Sequence, residues 1–186
     1  MSTIPYLIVG LGNPTARYAD TRHNAGIHYV TTLVPDTERW RALPRCGAEI
    51  IMGTLCGHRT VFARSTRYMN ESGQTVAALC KYYDIPLSRL IVAHDESDLY
   101  CGTFVIQYHR GHGGHNGVRD VTRVLGSSAY HRVRIGVRPQ TPPDAPRPKA
   151  SAFVLRPFSA TERAQCQEQY PIITKTLCEH LQSHPT

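Results

Sequence analysis

Two short apolar runs, residues 4–11 and 89–93, limit the fold more than any other feature of this chain. A strand with one face in water alternates apolar and polar residues. A run such as Leu7-Ile8-Val9-Gly10-Leu11 instead puts apolar groups on both faces, so both must be covered. Between and beyond these runs the pattern changes to helical spacing. Asn24 to Leu33 reads as a helix weakened by Gly26 and β-branched residues. Asn70-Glu71-Ser72-Gly73 opens another, with Val76, Ala77, Leu79, Cys80 and Tyr83 on one face and Pro86 after its end. Asn116 to Leu125 is a third, with Val118, Val121, Val124 and Leu125 on one face and Gly126 as its stop. A fourth starts at Thr161, with Ala164, Tyr170, Ile173 and Leu177 as core positions. Gly47–Leu55 and Arg59–Arg64 flank Cys56-Gly57-His58 as a hairpin, and Thr103–Tyr108 and His131–Val137 are further strands. Strands alternating with helices predict an α/β fold, a three-layer α/β/α sandwich around a mostly parallel sheet. At 186 residues the chain suits a single domain, 1–186. Residues 138–150, whose PQTPPDAPRP stretch holds five prolines, form a stiff surface loop within it.

In such folds chemistry gathers at the carboxyl ends of the strands. The first strand ends in Gly10-Leu11-Gly12-Asn13-Pro14, and the following loop reaches Arg22-His23-Asn24. The dinucleotide fingerprint is incomplete, because Thr15 stands where its third glycine would be and Pro14 has no N–H for a phosphate. The Walker pattern is absent. The alternative is that the loop delivers His23 to a reaction. Asp95 follows the apolar run 89–93, and Asn13, Asn70 and Asn116 lie at strand-to-helix junctions. Each asparagine alone reads as a turn or cap residue; together they suggest a site. There is no Gly-x-Ser-x-Gly elbow and no credible serine or cysteine nucleophile. A histidine and an aspartate without their own nucleophile point to activation of water, with asparagine amides holding an acyl group. That is the chemistry of ester or amide hydrolysis. His109, His112 and His115 could be read as metal ligands, but the glycines around them offer no rigid frame and no ligating carboxylate or cysteine lies beside them. Asp95, Glu96 and Asp98 could be read as a metal or glycosidase pair; Asp95 and Glu96 are adjacent and diverge on an extended backbone. Asp98 also fits as a cap on the turn that follows.

The net charge of +7 favours a polyanionic partner. The basic residues are mostly arginine, with Lys81, Lys149 and Lys175 the three lysines. No stretch approaches the roughly 20 apolar residues that span a bilayer, and the N-terminus reads as a strand rather than a signal peptide. Six cysteines without C-x-x-C spacing are expected to be reduced thiols of a cytoplasmic protein.

Four motifs in order, LIVGLGNP…Y…TRHNAG, RYMNESG, VAHDESDL and GHGGHNG, resemble those of bacterial peptidyl-tRNA hydrolases. The similarity continues through Tyr130–Gly136 and Phe153–Leu155, so it covers nearly the whole chain. The resemblance implies a single α/β domain with a mixed, largely parallel sheet. It also implies a monomer that binds the tRNA acceptor arm and cleaves the ester between a peptide and the 3′ ribose, with no metal or organic cofactor. By the same resemblance His23 activates water without a covalent intermediate, Asp95 orients it, and Asn13 distinguishes blocked from free aminoacyl esters. Asn70 and Asn116 would hold the peptide backbone or ester carbonyl. Tyr18 and Tyr68 would pack on the terminal nucleotide or peptide, and Arg134 would sit near the 5′ phosphate.

The sequence departs from the family pattern in places. Gln107 stands where many members carry a lysine, with His109 and Arg110 nearby; Thr15 replaces a usual glycine; Ser97 replaces a usual leucine; and the C-terminal helix region is short. Two other classes remain open at this point: a non-hydrolysing RNA-binding relative, and a small-molecule esterase or amidase. The first would not need His23, Asp95 and three asparagines together, and the second would leave the basic charge without a use.

Overall fold

The computed structural model describes residues 4–142, 144 and 146–183. Seven strands form one sheet: β1 (Tyr6–Gly10), β2 (Arg41–Leu43), β3 (Ala48–Leu55), β4 (His58–Ser65), β5 (Leu90–Tyr100), β6 (Phe104–Tyr108) and β7 (His131–Arg138). Their order is β2-β3-β4-β1-β5-β7-β6. The four central strands β4, β1, β5 and β7 run parallel, and β2, β3 and β6 join antiparallel at the flanks. Four helices cover it: α1 (Ala25–Thr32), α2 (Ser72–Tyr82), α3 (Asn116–Leu125) and α4 (Ala160–Ser183).

The apolar runs do what their composition requires. Tyr6 and Ile8 of β1, with Ile91 and Ala93 of β5, enter the core that holds Tyr29 and Val30 of α1 and Tyr170, Ile173 and Leu177 of α4. The alternate residues Leu7, Val9, Leu90 and Val92 enter the opposite core, with Val76 and Leu79 of α2 and Val118 and Val121 of α3. Successive side chains of one strand point to opposite faces, so each run feeds both layers of the sandwich. Close packing of β1, α1 and β5 depends on Gly26, where an added Cβ would collide with the Ala93 carbonyl.

Several expectations need correction. β5 does not stop before His94 and Asp95 but continues to Tyr100, because β7 still pairs with it after β1 has ended at the Gly10–Ala93 register. Asp98 therefore belongs to β5 and bonds Arg147 rather than capping a turn. β2 has three residues, too few for a periodic signal. In α4, Ala164 is exposed, and the helix runs through Pro171 on its exposed side. The cysteines are not all free thiols: Cys56, in the β3–β4 turn, and Cys178, in α4, form a disulfide across a sequence separation of 122. Nothing local marks that pairing; the fold brings the two Cα atoms to 5.2 Å.

Of the Pro-rich loop, Pro143 and Ala145 lie outside the described residues. The described part is tied back to the sheet by Arg138 Nη1 donating to the Pro148 carbonyl at 3.0 Å and by Arg147 donating to Asp98. Among the described residues no helix is long and apolar enough to cross a membrane.

Candidate active site

The carboxyl ends of β1, β4 and β5 open into a cavity of about 570 Å3 whose walls include Asn13, His23, Asn70, Asp95, His115 and Asn116. Asp95 lies where β5 has lost β1 as a neighbour, so its side chain reaches the rim while remaining only 2% exposed. His23 sits on a single 3-10 turn before α1, and its backbone N–H donates to the Val154 carbonyl at 2.8 Å.

His23 Nδ1 is 2.8 Å from Asp95 Oδ1. An ionised carboxylate only accepts, so Nδ1 carries the proton and Nε2 keeps its lone pair. Burial opposes a charge on His23, but the attraction of Asp95 and the hydrogen bond to it outweigh that and raise the pKa above its ordinary 6.5. Burial alone would raise the Asp95 pKa; His23 and His115 overcome it and hold the carboxyl well below the usual range.

His115 shares the same carboxylate oxygen, with Nε2 2.7 Å from Asp95 Oδ1. Its Nδ1 accepts from the Val118 N–H at 3.2 Å and caps α3, so Nε2 must be the protonated nitrogen. Gly113 and Gly114, both at positive φ, make the turn that brings His115 inward while His109 and His112 stay exposed. The three histidines read from sequence as possible ligands are thus separated. The grouping that could hold an ion is instead His23, Asp95 and His115. A metal there would need the lone pair of His115 Nε2, and moving that proton to Nδ1 would set it against the Val118 N–H. The hydrogen bonding suits imidazoles that donate to Asp95 better than imidazoles that ligate. His94 lies behind them, fully buried, donating from Nδ1 to the Asp95 carbonyl at 2.7 Å. Burial lowers its pKa far below the ordinary value, so it stays neutral.

Asn13 is held at three points. Its N–H donates to Asn24 Oδ1 at 2.8 Å, its carbonyl accepts from Asn24 Nδ2 at 3.1 Å, and its Oδ1 accepts from the Met69 N–H at 2.9 Å. With Oδ1 engaged, the Nδ2 donors are left without a protein partner among the described residues. Asn116 is similar, because its Oδ1 accepts from Arg119 at 2.8 Å. Asn70 also lines the cavity. Tyr18, Tyr68 and Arg134 do not; Tyr68 is exposed just before Met69, and Arg134 donates to Glu96 at 2.9 Å and to Gln107 at 2.6 Å. Gln107, in place of the family's lysine, thus holds the arginine rather than adding a charge.

Sequence reasoning weighed His115 only as a metal ligand and gave no role to Asn24 or Arg22. Arg22 is buried, pairs with Glu162 of α4 at 2.6 Å and donates to the carbonyls of Arg156 and Pro157. It anchors the segment whose Ala150, Val154 and Leu155 wall the cavity. The available signals were local: His115 stands directly before a helix start, and Arg22 and Asn24 flank His23.

The family model for peptidyl-tRNA hydrolase matches residues 7–185. This chain belongs to the peptidyl-tRNA hydrolase family. It is 43% identical over 176 residues to the peptidyl-tRNA hydrolase of Mycobacterium avium, an alignment covering 94% of this chain and 86% of that one. It is 43% identical over 162 residues to that of Mycolicibacterium smegmatis, covering 87% and 83%. A crystal structure of Acinetobacter baumannii peptidyl-tRNA hydrolase superposes with a TM-score of 0.80 at 30% identity, covering 99% of this chain and 95% of that one. A point mutant of the same hydrolase gives 0.82 at 32% identity, covering 96% and 89%. Membership makes the chain a peptidyl-tRNA hydrolase-type enzyme, and its fold is that of its peptidyl-tRNA hydrolase neighbours.

Proposed function

We propose that this chain hydrolyses the ester between a peptide, or an N-blocked aminoacyl group, and the 3′ ribose of tRNA, with water as the nucleophile. The observation that carries this reading is the 2.8 Å contact from His23 Nδ1 to Asp95, which leaves Nε2 as a base on the cavity wall. A water held at Nε2 gives up its proton as its oxygen attacks the ester carbonyl, and Asp95 stabilises the imidazolium that forms. The Nδ2 groups of Asn13 and Asn116 are free to donate to the carbonyl oxygen as it gains charge. Collapse breaks the bond to the ribose oxygen, which takes the proton back from His23. Free tRNA and a peptide carboxylate leave, and no bond to the enzyme forms.

In this reading Asn70 contributes to holding the peptide. Tyr18 and Tyr68 contact the terminal nucleotide beyond the cavity rim, and Arg134 serves tRNA phosphate. The net charge of +7 supports an acceptor-arm partner. The chain acts as one domain, as a monomer, in the cytoplasm where translation leaves peptidyl-tRNA.

The test is peptide release from N-acylaminoacyl-tRNA by the purified protein. Release abolished in His23→Ala with tRNA binding retained is the expected result. Binding without release by the wild type would favour an RNA-binding module, and equal turnover of simple esters would favour a small-molecule esterase.

A further inference from the structure

Three parts of the molecule meet at the Arg22 guanidinium. The first is the stretch 20–23, which ends in His23 and lies antiparallel to the second, residues 154–158. The Arg22 N–H donates to the Arg156 carbonyl at 3.1 Å, the His23 N–H to the Val154 carbonyl at 2.8 Å, and the Phe158 N–H returns to the Asp20 carbonyl at 3.2 Å. The Arg22 side chain adds a second set of bonds to this pairing. Its Nη1 donates to the carbonyls of Pro157 at 2.8 Å, Arg156 at 3.2 Å and Phe153 at 3.4 Å. Its Nη2 donates to Oε2 of Glu162 at 2.6 Å, in the first turn of α4, the third part. The same Oε2 accepts from the Ser159 N–H at 2.7 Å, so one carboxylate caps α4 and holds Arg22.

With 9% of its side chain exposed, Arg22 is not a surface cation for tRNA phosphate. Its planar fork serves several fixed acceptors at once, which is what distinguishes arginine from lysine at a buried site. Val154 connects those acceptors to the chemistry. Its carbonyl holds the His23 N–H, and the residue itself walls the cavity.

We propose, on the reading of His23 as the base, that Arg22 is a positioning residue for the hydrolysis. It clamps the 153–157 wall and the start of α4 onto the turn that presents His23, so that the imidazole keeps its place against Asp95. Arg22 touches no reacting atom and acts through the backbone of His23 and Val154. A catalytic group misplaced by about 1 Å loses on the order of 10²-fold in rate. The groups facing the imidazole are Asp95, 2.8 Å from Nδ1, and His115, whose ring centroid is 5.1 Å away. Burial opposes a charge on His23 and the Asp95 contact favours it, so a looser contact lets burial prevail and the His23 midpoint falls.

The experiment compares the wild type with Arg22→Lys and Glu162→Asp. Both variants keep the charge and change only the geometry: the first exchanges the fork for a point ammonium, and the second withdraws the carboxylate by one methylene. Circular dichroism establishes that each is folded at the assay temperature. The His23 ring is titrated by proton NMR without substrate, its signal assigned by its loss in His23→Gln. Peptide release from N-acylaminoacyl-tRNA supplies kcat and KM. In Arg22→Lys the expected result is a lower His23 midpoint and a kcat reduced by about 10–100-fold, with KM changed less than kcat. Glu162→Asp is expected to move both in the same direction by smaller amounts. A wild-type midpoint in folded Arg22→Lys overturns the assignment, even with a reduced kcat, because a merely structural arginine would lower the rate without moving the titration. If Arg22→Lys does not fold, an unshifted midpoint in Glu162→Asp overturns it instead. Absence of peptide release by the wild type would refute the hydrolytic reading alone, since the titration of the unliganded protein still decides whether Arg22 holds His23 against Asp95.

Discussion

Thr15 holds a backbone conformation that its side chain resists. It lies at φ 80° and ψ 148°, close to the region occupied almost only by glycine. The resemblance to the family puts a glycine at this position. A non-glycine residue held there costs about 1–3 kcal/mol. Thr15→Gly removes that cost and adds about 0.4–1 kcal/mol of unfolded-chain entropy. Nothing else is lost, since the side chain is exposed and caps nothing, and the Thr15 carbonyl still accepts from the Tyr18 N–H. The net is a gain of about 0.5–2 kcal/mol. For a chain of 186 residues this corresponds to a rise in Tm of about 1–8 °C, at roughly 2–4 °C per kcal/mol. Thermal unfolding followed by circular dichroism measures it, with the disulfide intact in both proteins. Peptide release should stay at the wild-type rate, because Asn13 is held by Asn24 and Met69 rather than by Thr15. A variant with unchanged or lower Tm would show that the loop stores no strain at this residue, and the argument from φ would fail.

Further outcomes follow from the same contacts. The rate should rise with pH as His23 loses its proton, with a midpoint above the ordinary 6.5; Asp95→Asn should lower kcat/KM by roughly 10²–10⁴-fold and shift that midpoint down. An unshifted midpoint would dissociate the titration from Asp95. The His23 contribution to stability should be fully present below pH 6.5 and fade as pH rises through its raised folded value. That of Asp95 should be present above 3.8 and fade as pH falls through its depressed one, which urea unfolding across pH can follow. Arg134→Ala should weaken tRNA binding and reduce the slope of log affinity against log salt by about 1, and an identical slope would remove Arg134 from the phosphate contacts. Gly26→Ala should cost about 3 kcal/mol or more in urea unfolding, because the new methyl meets the Ala93 carbonyl and neither backbone can withdraw.

Local pattern was enough to find the layers. The runs at β1 and β5 announce strands buried on both faces, and the spacing of Val118, Val121 and Leu125 announces α3, because side-chain direction repeats with a fixed period along one element. Asn13, His23 and Asp95 were legible as a group because strand ends in an α/β fold converge on one edge, whichever residues lie between them. What lies far apart in sequence had no such signal. The edge strand β2, the continuation of β5 beyond Asp95, and the Cys56–Cys178 bond each depend on what a neighbouring element offers rather than on the segment itself.

The sequence by itself therefore determined the kinds of elements, their apolar faces and the chemical groups available at the strand ends. Only the tertiary structure decided that two imidazoles share one Asp95 oxygen and that Asn24 aligns Asn13. The same holds for Gln107, which restrains Arg134. Periodicity is a property of adjacent residues and survives in the bare chain. A hydrogen bond between residues 72 or 20 positions apart exists only after packing has fixed both partners to within a few tenths of an ångström.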